Sequence, residues 1–96
     1  MQVGHFRFDY PASVAFDQLS PDDQSQLVAQ LESLAETSPA AWSTKVVKQM
    51  PDDPSLYMLI VNPIWRAFLR VAEGEQPIVL SLIRREALQM FAKSKV

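Results

Sequence analysis

Four arginines in the second half of the chain are spaced for anion chemistry. Arg66 and Arg70 flank Phe68 in the run Trp65-Arg66-Ala67-Phe68-Leu69-Arg70-Val71, and Arg84-Arg85 close the run Ile78-Val79-Leu80-Ser81-Leu82-Ile83. Alternate side chains of an extended strand share a face, so Arg66, Phe68 and Arg70 stand together while Trp65, Ala67, Leu69 and Val71 stand behind them. A guanidinium is planar and always charged, and it grips an oxyanion through two N–H groups, which suits it to phosphate. Upstream, Lys45 and Lys48 are candidates to add phosphate attraction. Tyr57 can in principle enter acid–base chemistry, but with a reference pKa of about 10 it is a poor base without help.

These residues need a sheet to hold them. Residues 56–61, 65–71 and 78–83 are three short β-branched and aromatic runs, separated by the turns Asn62-Pro63 and Glu73-Gly74-Glu75-Gln76-Pro77. That is the pattern of a three-stranded antiparallel meander. Near the N-terminus, Phe6, Phe8 and Tyr10 alternate with His5, Arg7 and Asp9, which predicts a half-buried strand over 3–10 that pairs with one of the later three. Asp9 then caps a short helix over about 11–19 with Pro11 in its first turn, burying Ala12, Ala15, Phe16 and Leu19.

Ser20-Pro21-Asp22-Asp23 restarts the helix: a capping hydroxyl, a proline suited to the first turn, and two acids at the positive end of the dipole. Leu27, Val28, Leu31, Leu34 and Ala35 fall on one helical stripe, which must end before Pro39. Two helices in succession form a hairpin against one face of the sheet. Residues 40–54 read as a connection anchored by Trp42 and closed by the rigid turn Pro51-Asp52-Asp53-Pro54. The predicted fold is therefore α+β: an N-terminal strand, a helical hairpin, then the meander, with about four strands in all and residues 1–96 as a single domain.

Composition removes several kinds of chemistry. The 96 residues contain no cysteine, which excludes disulfides, thiolate catalysis and the sulfur-rich kind of zinc site. A single histidine, His5, argues against a Ser-His triad or histidine-based metal ligation, and two glycines exclude a Gly-rich phosphate loop. No cofactor and no metal are expected. No apolar run reaches membrane-spanning length and the N-terminus lacks a signal-peptide layout, so the expected location is cytoplasmic, with no membrane partner. Charge is divided unevenly: residues 1–44 carry one cation and six acids, residues 45–96 eight cations and five acids. The C-terminal half thus favours an anionic partner, though it lacks the strongly basic stripe of a dedicated nucleic-acid binder.

With particular residues attached to this order of elements, the chain resembles the RelE/ParE toxin superfamily, the toxin components of bacterial toxin–antitoxin modules. The resemblance runs through Phe8-Asp9 at the end of the first strand, Phe16 and Leu19, then Leu27, Leu31 and Leu34. Its most specific part is Lys48-Gln49-Met50-Pro51-Asp52, Leu56-Tyr57-Met58-Leu59, Trp65-Arg66-Ala67-Phe68-Leu69 and Leu80-Ser81-Leu82-Ile83-Arg84-Arg85-Glu86.

The resemblance implies a cognate antitoxin as partner, and as target either messenger RNA on the ribosome, cleaved by a metal-free endoribonuclease (an mRNA interferase), or DNA gyrase. For a cleaving member it implies phosphate-stabilising roles for Arg66 and Arg85, with Arg70, Arg84, Lys45 and Lys48 as further phosphate-binding candidates. The family's catalytic lysines correspond to Tyr57 and Leu59, and its C-terminal tyrosine or histidine to Phe91. The implied catalytic set is then reduced to its electrostatic half. The alternative is a non-catalytic interaction module that keeps only the partner-binding surface.

Overall fold

The computed structural model describes residues 1–88. The expected α+β architecture is present, but the sheet is larger than a meander with one added strand. Its six strands are β1 (Gln2–Val3), β2 (Phe6–Phe8), β3 (Val47–Met50), β4 (Asp53–Ile60), β5 (Trp65–Arg70) and β6 (Ile78–Arg84), in the spatial order β1-β2-β6-β5-β4-β3. Neighbours are antiparallel except β2 and β6, which run parallel, with the Arg7 amide donating to the Pro77 carbonyl and the Asp9 amide to that of Val79. The helices α1 (Tyr10–Gln18) and α2 (Pro21–Ala35) follow β2, and a 3₁₀ turn, Pro39–Ala41, precedes β3.

Two departures from the sequence reading have local causes. The N-terminal run is broken rather than continuous: Gly4 sits at φ +57°, and with His5 it turns the chain so that Val3 pairs with Phe6. A left-handed backbone of this kind favours glycine. The run also ends earlier than expected, because Asp9 takes the N-cap position with extended backbone and Pro11 lies in the first turn of α1. Tyr10 therefore starts the helix, 82% exposed, instead of joining Phe6 and Phe8 inside.

The second departure is β3, which falls within the expected connection. It is a four-residue edge strand in which only Val47 is fully buried, so its sequence carries almost no apolar alternation. Short edge strands bearing lysine are a common way of blunting a free sheet edge.

The first helix differs from the expectation in two details: the Asp9 side chain makes no capping hydrogen bond, and Ala15 and Phe16 are half-buried where Ala12 and Leu19 are buried. The Ser20 hydroxyl accepts from the Asp23 amide at 3.1 Å, capping α2. Leu27, Leu31 and Leu34 bury their stripe with Phe6 and Phe8 of β2, Leu59 of β4, Ala67 and Leu69 of β5, and Val79 and Leu82 of β6. Trp42 anchors the connection, donating from Nε1 to the Leu34 carbonyl at 3.0 Å. Trp65 and Val71, expected inside, pack against this core while remaining half-buried.

Leu31 is completely buried and Tyr10 lies outside. Leu31→Ala is therefore expected to lower stability by about 2–5 kcal/mol, and Tyr10→Ala to leave it within about 0.5 kcal/mol. Urea denaturation midpoints of the two variants check both; an unchanged midpoint for Leu31→Ala would mean the core face is misassigned.

Candidate functional site

Among the described residues, α1 and α2 cover one face of the sheet, and the other is open except where residues 85–88 reach it beside Phe68 and Ile83; strand alternation decides what each face carries. On β5, Ala67 and Leu69 point to the helices, while Arg66, Phe68 and Arg70 take the opposite face. Directly paired residues share a face, so the register extends this field across the sheet. Ile60, Met58 and Leu56 of β4 lie beside Arg66, Phe68 and Arg70. On the other side, Ile83, Ser81 and Ile78 of β6 oppose the same three residues. Lys48 of β3 continues the row of Met58, and Arg7 of β2 continues the row of Ile78. The resulting surface has an apolar interior of half-buried side chains with cations around it. At one place Ala87 and Leu88, just past β6, line an apolar cleft of about 350 Å³ with Phe68 and Ile83.

The β4–β5 turn fixes one end of this face. Asn62 donates through Nδ2 to Asp23 Oδ1 at 2.8 Å and to Gln26 Oε1 at 2.7 Å, and its own Oδ1 accepts from the Ile64 and Trp65 amides, both at 2.9 Å. Asp23 Oδ2 accepts from Trp65 Nε1 at 3.1 Å, and Gln30 Nε2 donates to the Val61 carbonyl at 2.6 Å. One side of α2 is thus clamped to the turn from which Arg66 emerges. Arg66 folds back on that turn, its Nη1 donating to the carbonyls of Asn62 at 2.6 Å and Trp65 at 3.0 Å.

The predicted site residues divide between the two faces. Arg85 donates its amide to the Ile64 carbonyl at 2.8 Å, which carries the β5–β6 ladder one step past Arg84. There the strand ends, and residues 85–88 are helical, so the Arg85 backbone lies at the end of the sheet from which Arg66 emerges. Arg70 lies four residues from Arg66 on β5, about 13 Å away along a strand. Its charge also acts on Asp53, whose carboxyl is held below the ordinary carboxylate range first by the Ser55 hydroxyl, then by the Ser55 amide, with a smaller contribution from Arg70.

Arg84 does not join this group. It opposes Trp65 and therefore sits on the helix-covered face, with its guanidinium carbon 5.4 Å from the centre of the indole ring, a cation–π contact. Tyr57 opposes Leu69 and also lies on the covered face, edge-on to Trp42 with ring centres 5.3 Å apart. The thickness of the sheet separates it from Arg66, so it cannot serve as the base there. Lys45 is exposed in the turn before β3, while Lys48 reaches back to place Nζ 3.4 Å from the Thr44 carbonyl.

Leu59, matched by resemblance to a catalytic lysine position, is fully buried in the core, because it too alternates onto the helix face. Phe91 lies outside the described residues. Among the described residues, the cross-strand neighbours of Arg66 on the open face are Ile60 and Ile83, neither of which can move a proton. Sequence reasoning missed Arg7. Its alternation against Phe6 and Phe8 was legible, but its place beside β6 depends on a parallel pairing that no local pattern announces.

No group of three or more histidine, cysteine, aspartate or glutamate side chains among the described residues is arranged to hold a metal ion, and none of the helices described is long and apolar enough to cross a membrane. A scan against protein-family models finds no match for the chain, and no curated protein is significantly similar to it.

The clamp and the buried leucine each yield a test. Asn62→Ala removes four hydrogen bonds and is expected to destabilise the fold by about 2–3 kcal/mol, read from thermal or urea unfolding. Leu59→Lys places a charge in the core and is expected to prevent folding, seen as loss of cooperative unfolding; a folded, cooperative Leu59→Lys protein would restore Leu59 as a surface position.

Proposed function

We propose that this chain is a RelE/ParE-like partner-binding module of a toxin–antitoxin pair, whose open sheet face receives an acidic, amphipathic segment of the antitoxin. The observation that carries this reading is the composition of that face. Leu56, Met58, Ile60, Phe68, Ile78 and Ile83 form one half-buried apolar field, and Lys48, Arg66, Arg70 and Arg7 share its face. Apolar surface of this extent, bordered by charge of one sign, suits a protein segment that brings hydrophobic side chains to the middle and carboxylates to the edge. A segment that folds on contact is the natural occupant of such a half-buried face.

A second reading, a metal-free endoribonuclease acting on ribosome-bound messenger, is favoured by one observation: the Arg66 guanidinium and the Arg85 amide both bond to carbonyls of the β4–β5 turn, those of Asn62 and Ile64. Two guanidiniums can stabilise the charge that grows on a phosphate during attack by a ribose 2′-hydroxyl. Cleavage also needs a base and an acid, each commonly worth about 10²–10⁴-fold. With Tyr57 on the other face and isoleucines beside Arg66, this reading has electrostatic groups and no described residue for either proton transfer.

The test is co-purification with the product of the adjacent gene, together with cleavage and supercoiling assays on the chain alone. Co-purification is expected, with Arg70→Glu and Met58→Glu each weakening the complex at least about tenfold while leaving the fold intact. Added protein is expected to cause little or no cleavage of messenger on translating ribosomes. Robust ribosome-dependent cleavage would establish the enzymatic reading instead, and inhibition of DNA gyrase supercoiling would identify a gyrase-directed module. A complex insensitive to both substitutions would move the partner to another surface.

A further inference from the structure

On the far side of the sheet from Arg66, a cleft of about 360 Å³ opens between the 3₁₀ turn and the edge strand β3, with Pro39, Trp42, Thr44, Val47, Gln49 and Tyr57 among its lining residues. That volume lies at the lower end of the range for small-molecule sites. We propose that this cleft binds a nucleotide unit, with the base against Trp42 and Tyr57 and the phosphate toward Lys48. The inference does not rest on the open-face reading: Trp42, Gln49 and Tyr57 belong to the opposite face, and the one residue common to both is Lys48, which stands on the open face of the edge strand and turns its ammonium back to the Thr44 carbonyl.

The aromatic surface comes first. Trp42 and Tyr57 meet at 73°, with centroids 5.3 Å apart, forming a corner in which a flat ring laid on one meets the edge of the other. Every nucleobase presents a π-face to such a surface. The Trp42 N–H is already donated to the Leu34 carbonyl, so the indole offers its ring and not its donor. That disfavours a proline-rich peptide, whose carbonyls need such a donor.

Hydrogen-bonding groups stand beside the corner. Gln49 Nε2 donates to the Pro54 carbonyl at 2.8 Å and to the Tyr57 hydroxyl at 3.4 Å. These bonds hold the amide in place, leaving Gln49 Oε1 as an acceptor and the Tyr57 O–H as a donor. An adjacent donor and acceptor is the complement of a base edge.

Charge completes the site. Among the described residues no carboxylate lines the cleft, and the Lys48 ammonium lies 3.4 Å from the carbonyl of Thr44, itself a lining residue. Lys45 is the next residue along the chain and is exposed. The cleft of similar size near Arg7 and Arg70 differs on this point, because Glu75 lines it and Asp9 lies 3.6 Å from Arg7.

A free mononucleotide and a nucleotide within single-stranded RNA present the same chemistry, so both are used as probes. In ¹H–¹⁵N spectra of the full chain, 5′-AMP is expected to shift the Trp42 indole N–H and the Gln49 side-chain amide while the Trp65 indole stays in place. Ribose 5-phosphate should bind at least about tenfold more weakly, because it has no base to stack. Tyr57→Phe and Gln49→Ala should each weaken 5′-AMP by about 3–10-fold, and Lys48→Gln should flatten the salt dependence. The last two alter exposed side chains, and Tyr57→Phe removes only a hydroxyl, so all three variants keep the fold.

An eight-nucleotide single-stranded RNA that binds more than about tenfold tighter than 5′-AMP and is displaced by it identifies a subsite for RNA; equal affinity identifies a free nucleotide. Absence of any Trp42 shift with both probes at millimolar concentration overturns the proposal. Ribose 5-phosphate binding as well as 5′-AMP, or affinity undiminished in Gln49→Ala, would overturn it equally.

Discussion

Asn62 makes the connection on which the geometry of the open face depends. A turn between two strands has carbonyls and amides to satisfy, and a helix packed across a sheet is free to slide unless something polar fixes it. One carboxamide meets both requirements here: its oxygen closes the turn on the Ile64 and Trp65 amides, and its nitrogen reaches Asp23 and Gln26 on α2. Asp23 divides its two oxygens between Asn62 and the Trp65 indole. The first turn of α2 is thereby held in register with the start of β5, and the Arg66 guanidinium then lies on the carbonyls of that same turn. Hydrogen bonds of this kind contribute about 1 kcal/mol each. Their larger effect is to specify one arrangement among several that the apolar core alone would tolerate.

The charge asymmetry along the chain becomes an asymmetry between faces. The acidic first half supplies the helices, and α2 carries Asp22, Asp23 and Glu32. The basic second half supplies most of the sheet, where Arg66 and Arg70 of β5 and Lys48 of β3 point away from the helices. A partner approaching the open face meets cations around an apolar floor, while one approaching the helices meets carboxylates. Opposed fields of this kind orient an encounter before any contact forms, and salt weakens them.

Binding and catalysis ask different things of such a face. Holding a phosphate or a carboxylate requires cations in roughly the right place, and long arginine side chains tolerate imprecision. Moving protons requires groups with suitable pKa values within hydrogen-bond reach of the reacting atoms. For the first, Arg66 and Arg70 place such cations on one face of β5. Strand alternation works against the second, because it sends Tyr57 and Leu59 together to the covered side, where one packs on Trp42 and the other is sealed in the core.

The sequence by itself determined the features that depend on neighbours along the chain. The Ser20 cap, the Leu27–Leu31–Leu34 stripe and the alternation of β5 are dictated by residue type and spacing within one turn or one strand, and they appear as read. Only the tertiary structure decided the rest. Val47 earns a strand because β4 offers it a ladder, although Lys48 and Gln49 give no apolar period. Arg7 reaches the open face beside Ile78 through a parallel pairing between segments some seventy residues apart in sequence. Arg84 and Arg85, adjacent in sequence, separate because the β5–β6 register sets Arg84 over Trp65 and carries Arg85 past it to Ile64. Local chemistry selects helix, strand and turn within a few residues, whereas the face a charge occupies and the neighbours it meets depend on long-range register, which is fixed only when the whole core closes.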